Sequence, residues 1–307
     1  MFKVTVIWKV LGKYLWDHLQ CRDSFVSKFL QAEMKWTLHC STHPGKKTPG
    51  NIQQILTDTF FQLVQTISNF NILPVFQVNS NQMLVQYSAG ATETYAPIGS
   101  KRVEVLGKDE QREFTLMVGI SMGGKVLPFQ TIYTGKTSGS LPPSGAPNYS
   151  KATRELKFHF EPSKTDNHWS TIGTMKSYVT NILVPYFESH HQQLGLPGRI
   201  CIWQIDCWPV HRTLELRSWI SAAFLLICIH FFPANCTGIF QPCDVWIQWV
   251  LKLAIRQSAL KDIVGHTMSQ LKSGVAPNQV TFEKRLNVNR NHSVQWLING
   301  YEAINHP

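Results

Sequence analysis

Apolar positions change their period along the chain, and each change marks a different kind of element. Up to about residue 70 they recur at helical spacing: Phe25, Phe29 and Leu30 share one helical face. After the turn Thr48-Pro49-Gly50-Asn51, Ile55, Phe60, Leu63 and Ile67 do the same. The start, Met1-Phe2-Lys3-Val4-Thr5-Val6, supports no complete helix-turn-helix. From residue 72 short apolar runs take over. Ile72 to Asn79 ends in polar residues, and Asn81 reads as a polar residue at that strand's end. Phe114 to Ser121 predicts a strand, Gly123-Gly124 a hairpin turn, and Val126 to Tyr133 the returning strand. Residues 134–150, rich in Gly, Ser and Pro, predict a loop.

An amphipathic helix follows over Thr171 to Glu188, carried by Met175, Tyr178, Val179, Ile182 and Leu183. Strands at Ile200 to Ile205 and Leu225 to Phe232 then alternate with helices at Val210 to Ala223 and Val245 to Ser258. Val264 to Lys272 and Ser293 to Ile304 also read as helical. Antiparallel strands first and a β-α-β-α alternation afterwards predict an α/β fold, a mixed sheet covered by helices on both faces. No internal repeat or low-complexity tract interrupts it.

Charge adds a partner to this picture. The formal net charge is +10 and the pI about 9.3, which favours a polyanion, nucleic acid before anionic membrane. The excess is scattered from Lys3 to Arg290, so no basic arm is indicated. The most apolar stretch, Ala222 to Pro233, falls well short of the roughly 20 residues of a membrane span and predicts a buried strand. No secretory signal opens the chain, and seven irregularly spaced cysteines fit reduced thiols in a nuclear or cytoplasmic compartment.

Two of the eight aspartates stand where α/β sheets carry their sites. Asp206 ends the run Ile200 to Ile205, and Asp244 precedes the helix from Val245. Two such carboxylates could share Mg²⁺ or Mn²⁺, hard cations that also contact substrate phosphates. Each could equally be a helix cap. Cys207, His211, Cys236 and Cys243 could offer soft ligands to zinc, although their spacing matches no zinc signature and buried inert thiols are the plainer alternative. Gly135-Lys136-Thr137 resembles the end of a phosphate-binding loop, but Gln130 stands where the first glycine belongs, leaving a solvated turn. His190-His191 reads as a favourable interaction with a helix C-terminus. No G-x-S-x-G is present.

Several blocks resemble the DDE superfamily endonucleases, the transposase catalytic domains of the pogo, Tigger and jerky kind. Trp203 to Arg212 resembles the second-aspartate block, and Cys236 to Val245, with its Gln-Pro turn, the third-acid block. Val78-Asn79-Ser80-Asn81-Gln82 resembles the first block, in which Asp precedes Gln. Gly99-Ser100-Lys101, Phe114 to Gly119, Leu127-Pro128-Phe129 and Gly135-Lys136-Thr137 resemble the intervening strands; Ser293 to Leu297 resembles the C-terminal part. Trp36-Thr37-Leu38 and Lys46 to Pro49 resemble the segment that precedes such domains, whose helix-turn-helix modules are expected further upstream.

The resemblance implies an RNase H-like mixed five-stranded sheet with helices on both faces, over residues 71–260, with helical extensions at 1–70 and 261–307. It implies three carboxylates holding two Mg²⁺ or Mn²⁺ ions for attack on a DNA phosphodiester, with a homo-oligomer as a further expectation. Asp206 and Asp244 are then metal ligands, and Asn81 is a degenerate first position. A neutral amide in place of a carboxylate leaves two negative charges where three belong, which predicts weak or absent metal binding and impaired catalysis. Glu93 and Glu104 lie beyond the expected strand end and offer no rescue. The alternatives are an active nuclease with a substitute acid and a non-enzymatic protein-interaction module.

Overall fold

The computed structural model describes residues 23–40, 50–87, 93–99, 112–283 and 285–305. Residues 1–22, Lys46 to Pro49, Ser100-Lys101 and Glu104, all used above, lie outside them. In chain order the strands are β1 (Trp36–Cys40), β2 (Gln77–Gln86), β3 (Glu93–Pro97), β4 (Glu113–Ser121), β5 (Gln130–Tyr133), β6 (His159–Pro162), β7 (Cys201–Asp206) and β8 (Ile227–Phe232). The helices are α1 (Asp23–Ala32), α2 (Ile52–Phe70), α3 (Ile172–Tyr178), α4 (Val184–Leu194), α5 (Leu214–Ala223), α6 (Thr237–Phe240), α7 (Gln248–Lys272) and α8 (Leu286–Asn305).

These elements fall into two compact units. The smaller comprises Met1–Gly45, Ser88–Gln111 and Ala259–Val288. In it β1 pairs antiparallel with β3, Trp36 opposite Pro97. Helical periodicity did not foresee this strand, because its partner lies more than fifty positions away. Glu93 stands opposite Cys40 in that pairing.

The larger unit comprises Lys46–Tyr87, Arg112–Ser258 and Asn289–Pro307. Its sheet has six strands in the order β6-β5-β4-β2-β7-β8. β2 pairs antiparallel with β4 and parallel with β7; β8 extends β7 in parallel. This is the RNase H-like arrangement, one strand wider than five because β6 adds in parallel to β5. One face packs Val78, Met117, Trp203 and Ile205 against Met175, Tyr178, Val179, Ile182 and Leu183 of the α3–α4 helix, with Leu216 and Ile220 of α5 alongside. On α8, Ser293 shares a hydrogen bond with Tyr133 at 3.2 Å, and Tyr301 packs edge-on to Phe129.

Several boundaries differ from the periodicity, among them the strand expected over Val126 to Tyr133, which is Gln130–Tyr133, and the helices expected at Val245 to Ser258 and Val264 to Lys272, which are one helix, α7. The apolar run after Ile72 first makes a tight turn, Pro74–Phe76, and the strand then continues through Asn79, Ser80, Asn81 and Gln82 to Gln86. Asn81 is therefore mid-strand, not at a strand end. Polar residues extend this strand because their side chains find buried partners, described below. Between α3 and α4 the helix widens into a π-turn, Val179–Leu183, ahead of Pro185, which has no N–H to give to the preceding turn. β8, expected to be buried, is mostly half-buried because it is the sheet's edge.

A close approach fixes α3 on the sheet. Ser80 and Gly119 are register partners on β2 and β4. Ser80 Oγ accepts from Trp203 Nε1 at 3.0 Å and shares a 2.8 Å bond with the Tyr178 hydroxyl. A Cβ at position 119 would stand 2.5 Å from that hydroxyl. Gly119→Ala is expected to destabilise the fold by about 1–3 kcal/mol through overpacking. Denaturant titration against Gly198→Ala, where no atom lies within 4 Å of the added Cβ, checks this. Equal midpoints for the two variants would contradict it.

Candidate functional site

The site is assembled by amides of the central strand. Asn79, Ser80 and Asn81 are buried in the middle of β2, where an unpaired polar group costs about 1–3 kcal/mol. Asn79 answers this on two sides. Its Nδ2 donates to the Gln204 carbonyl of β7 at 3.1 Å, and its Oδ1 accepts the Cys243 N–H at 2.9 Å. Gln241 Nε2 donates to the Ser80 carbonyl at 3.1 Å, and Gln248 Nε2 to the Gln82 carbonyl at 3.2 Å. Asn81 Oδ1 accepts from the Gln82 N–H at 2.7 Å.

Register gives the rest. Asn79 is level with Gln204 in the parallel β2–β7 pair. The pairing ends there, and Asn81 and Asp206 lie two residues further along β2 and β7. The Cys243 N–H on Asn79 holds the turn that carries Asp244 against β2. Asp244 stands in a π-turn, Cys243–Ile247, that leads into α7. It lines a shallow cavity of about 290 Å³ with Gly238, Gln248, Trp249 and Lys252.

Asp206 is held from the strand tip. The buried His211 donates Nδ1–H to Asp206 Oδ1 at 2.7 Å. Gln82 Nε2 then donates to His211 Nε2 at 2.9 Å, and Ser170 Oγ donates to Gln82 Oε1 at 2.7 Å. One neutral tautomer of His211 satisfies every bond in this chain. It fixes one carboxylate oxygen while a quarter of the side chain remains exposed. Such a histidine positions a carboxylate as a second layer of contacts positions a metal ligand.

The cap readings do not hold. Thr213 caps α5, accepting from Leu216 N at 3.4 Å, and Asp244 stands inside its π-turn without capping α7. The zinc reading is overturned too. Among the described residues no three His, Cys, Asp or Glu are grouped to hold a metal. Burial raises the Cys207 and Cys243 thiols above their ordinary value, opposing the thiolate that zinc requires. The Cys243 thiol meets the Asn79 and Val118 carbonyls instead. His191 is a core residue, 2.9 Å from the Arg199 carbonyl and packed on Phe76. Lys136 pairs with Asp166 at 3.3 Å in an exposed turn.

Asp206 and Asp244 are carboxylates, the hard oxygen donors that Mg²⁺ and Mn²⁺ accept, but among the described residues they and His211 are not grouped as three metal ligands. The residues that hold this arrangement together, Asn79, Gln82, Gln241 and Gln248, carry no periodic signal. Only their polarity inside an apolar strand or helix start marked them.

The family of DDE superfamily endonucleases matches residues 111–306, a segment that includes Asp206 and Asp244 and begins after Asn81. No curated protein matches the chain. Among solved structures, the catalytic domain of Mos1 mariner transposase is similar at 8% identity and a TM-score of 0.42, over 86% of this chain and 98% of that one. The Mos1 paired-end complex with Mn is similar at 10% identity and a TM-score of 0.43, over 98% of this chain and 74% of that one. Among the described residues no helix is long and apolar enough to cross a membrane.

Asn79→Ala removes the acceptor for the Cys243 N–H and the donor to Gln204. It is expected to cost about 2–4 kcal/mol and to strip the Cys243 amide of protection in hydrogen exchange. An unchanged Cys243 amide would show that the turn carrying Asp244 is anchored elsewhere.

Proposed function

The chain belongs to the DDE superfamily endonucleases, and on that premise we propose a transposase-derived domain that binds DNA and has lost most of its strand cleavage through Asn81. What supports this reading is the pairing of β2 with β7, Asn79 opposite Gln204 and two residues short of Asn81 and Asp206, with the residue before Asp244 bonded to Asn79. A three-acid site would need Asn81, Asp206 and Asp244 to converge, and one of these positions is an amide. The resemblance of the blocks around Asn81, Asp206 and Asp244 to the pogo, Tigger and jerky kind supports the same reading.

Asp206 and Asp244 are the residues that would hold a divalent ion. When bound, Mg²⁺ or Mn²⁺ supplies Lewis-acid activation of a water or 3′-hydroxyl and charge stabilisation at the phosphodiester. His211 holds Asp206 by one oxygen and leaves the other for the cation. Asn81 would offer a neutral oxygen in place of the carboxylate that raises metal affinity, so an ion would be held weakly. The excess of lysine and arginine makes phosphate contacts whose affinity falls steeply with salt, and the nucleus is the compartment where such a domain meets DNA. A second reading, a protein-interaction module, draws on the exposed indoles of Trp246 and Trp249.

Plasmid nicking with Mn²⁺ tests the proposal. The unaltered chain is expected at background, and Asn81→Asp to raise the rate by roughly 10²–10³-fold, the scale of other electrostatic restorations. Asp206→Ala should cancel that gain. Robust nicking by the unaltered chain that Asp206→Ala abolishes would show that Asn81 does not silence the site. Absence of DNA affinity even at low salt would favour the interaction module.

A further inference from the structure

Beside Asp206 the surface carries a ladder of rings. His168 packs on Trp169 with centroids 4.8 Å apart, and Trp169 stacks on Trp208 at 5.4 Å with planes 23° apart. Among the described residues no further ring stacks on Trp208. Both indoles are exposed, Trp169 by 42% and Trp208 by 38%. Two large apolar surfaces left to water at the end of a stack are unusual for residues that serve only packing.

Their places in the chain tie them to the site. Trp208 is two residues beyond Asp206, and its carbonyl accepts the His211 N–H at 3.0 Å, so it shares a turn with the histidine that holds Asp206. Trp169 precedes Ser170, the far end of the Ser170–Gln82–His211–Asp206 chain. The ladder and the carboxylate are thus fixed by the same hydrogen bonds. The exposed Arg212 belongs to the same turn, its N–H 3.3 Å from the Trp208 carbonyl.

We propose that Trp208, backed by Trp169, is a stacking platform for one unpaired nucleobase of a DNA strand whose backbone runs past Asp206, with Arg212 contacting the adjoining phosphate. The inference rests on the DNA-binding reading above and adds the form of the ligand: a strand with at least one base out of its duplex. Every base has a π-face, so the platform selects unpaired over paired bases without selecting sequence. The open end of the ladder takes the base as its next rung, and the cation faces the charge that follows it.

Fluorescence-anisotropy titrations with the full chain test this, using a labelled single-stranded oligonucleotide, the same strand with abasic sites throughout, and a blunt duplex. Trp208→Ala is expected to weaken binding of the intact single strand roughly 5- to 150-fold, as loss of a stacked base does, and to leave abasic-strand and duplex affinities unchanged. Trp208→Phe should restore the single-strand affinity to within a few fold. Unaltered melting of each variant excludes unfolding as the cause. Single-strand affinity unchanged by Trp208→Ala, or lost equally for the abasic strand and the duplex, overturns the platform and leaves the DNA-binding reading standing. No binding of any of the three probes by the unaltered chain at low salt overturns both.

Discussion

A strand in the middle of a mixed sheet has helices on both faces and strands on both edges, so each of its polar groups must find a partner inside the protein. β2 meets this constraint with a run of amides and one hydroxyl, and the structure of the site follows from how they are satisfied. Asn79 cannot be buried unless something donates to its Oδ1. The Cys243 N–H does so, and the turn carrying Asp244 is drawn to the sheet as a result. The Ser80 and Gln82 carbonyls take Gln241 and Gln248 from the same segment. On the opposite face Ser80 Oγ serves Trp203 and Tyr178 together, which requires the absent side chain of Gly119. The polar strand is the clamp that joins the sheet to the start of α7.

Much of this fold could be read from spacing. Met175, Tyr178, Val179, Ile182 and Leu183 define a helix face that is buried against the sheet, and Phe114 to Ser121 is a strand in both descriptions. Asp206 at the end of β7 follows from an apolar run that stops at a charge. What spacing could not give are interactions between residues far apart in sequence. Asn79 and Cys243 are 164 positions apart, and the pairing of β1 with β3 is of the same kind. The polar stretch from Asn79 to Gln82 looked like a strand's end because local hydropathy takes no account of distant donors. The π-turns escaped notice because they leave a helical apolar pattern almost unbroken.

On the proposed reading the clamp also separates the frame of the site from its chemistry. Asn79, Gln241 and Gln248 place Asp244 without reference to the charge at position 81, and His211 orients Asp206 through a chain that starts at Ser170. On the proposed reading, an amide at Asn81 leaves this frame intact and lowers the charge that would be offered to a cation. Gly119 and Asn79 bear on stability, and on the proposed reading Asn81 bears on metal affinity.

The most direct test is the number of metal ions the intact site binds. Crystals of the chain grown with Mn²⁺ and measured at the manganese absorption edge would locate each ion by its anomalous signal. At most one weakly occupied ion is expected between Asp206 and Asp244. Two well-occupied ions, with a third carboxylate in contact, would contradict it and show that another acid has taken the place of the one Asn81 lacks.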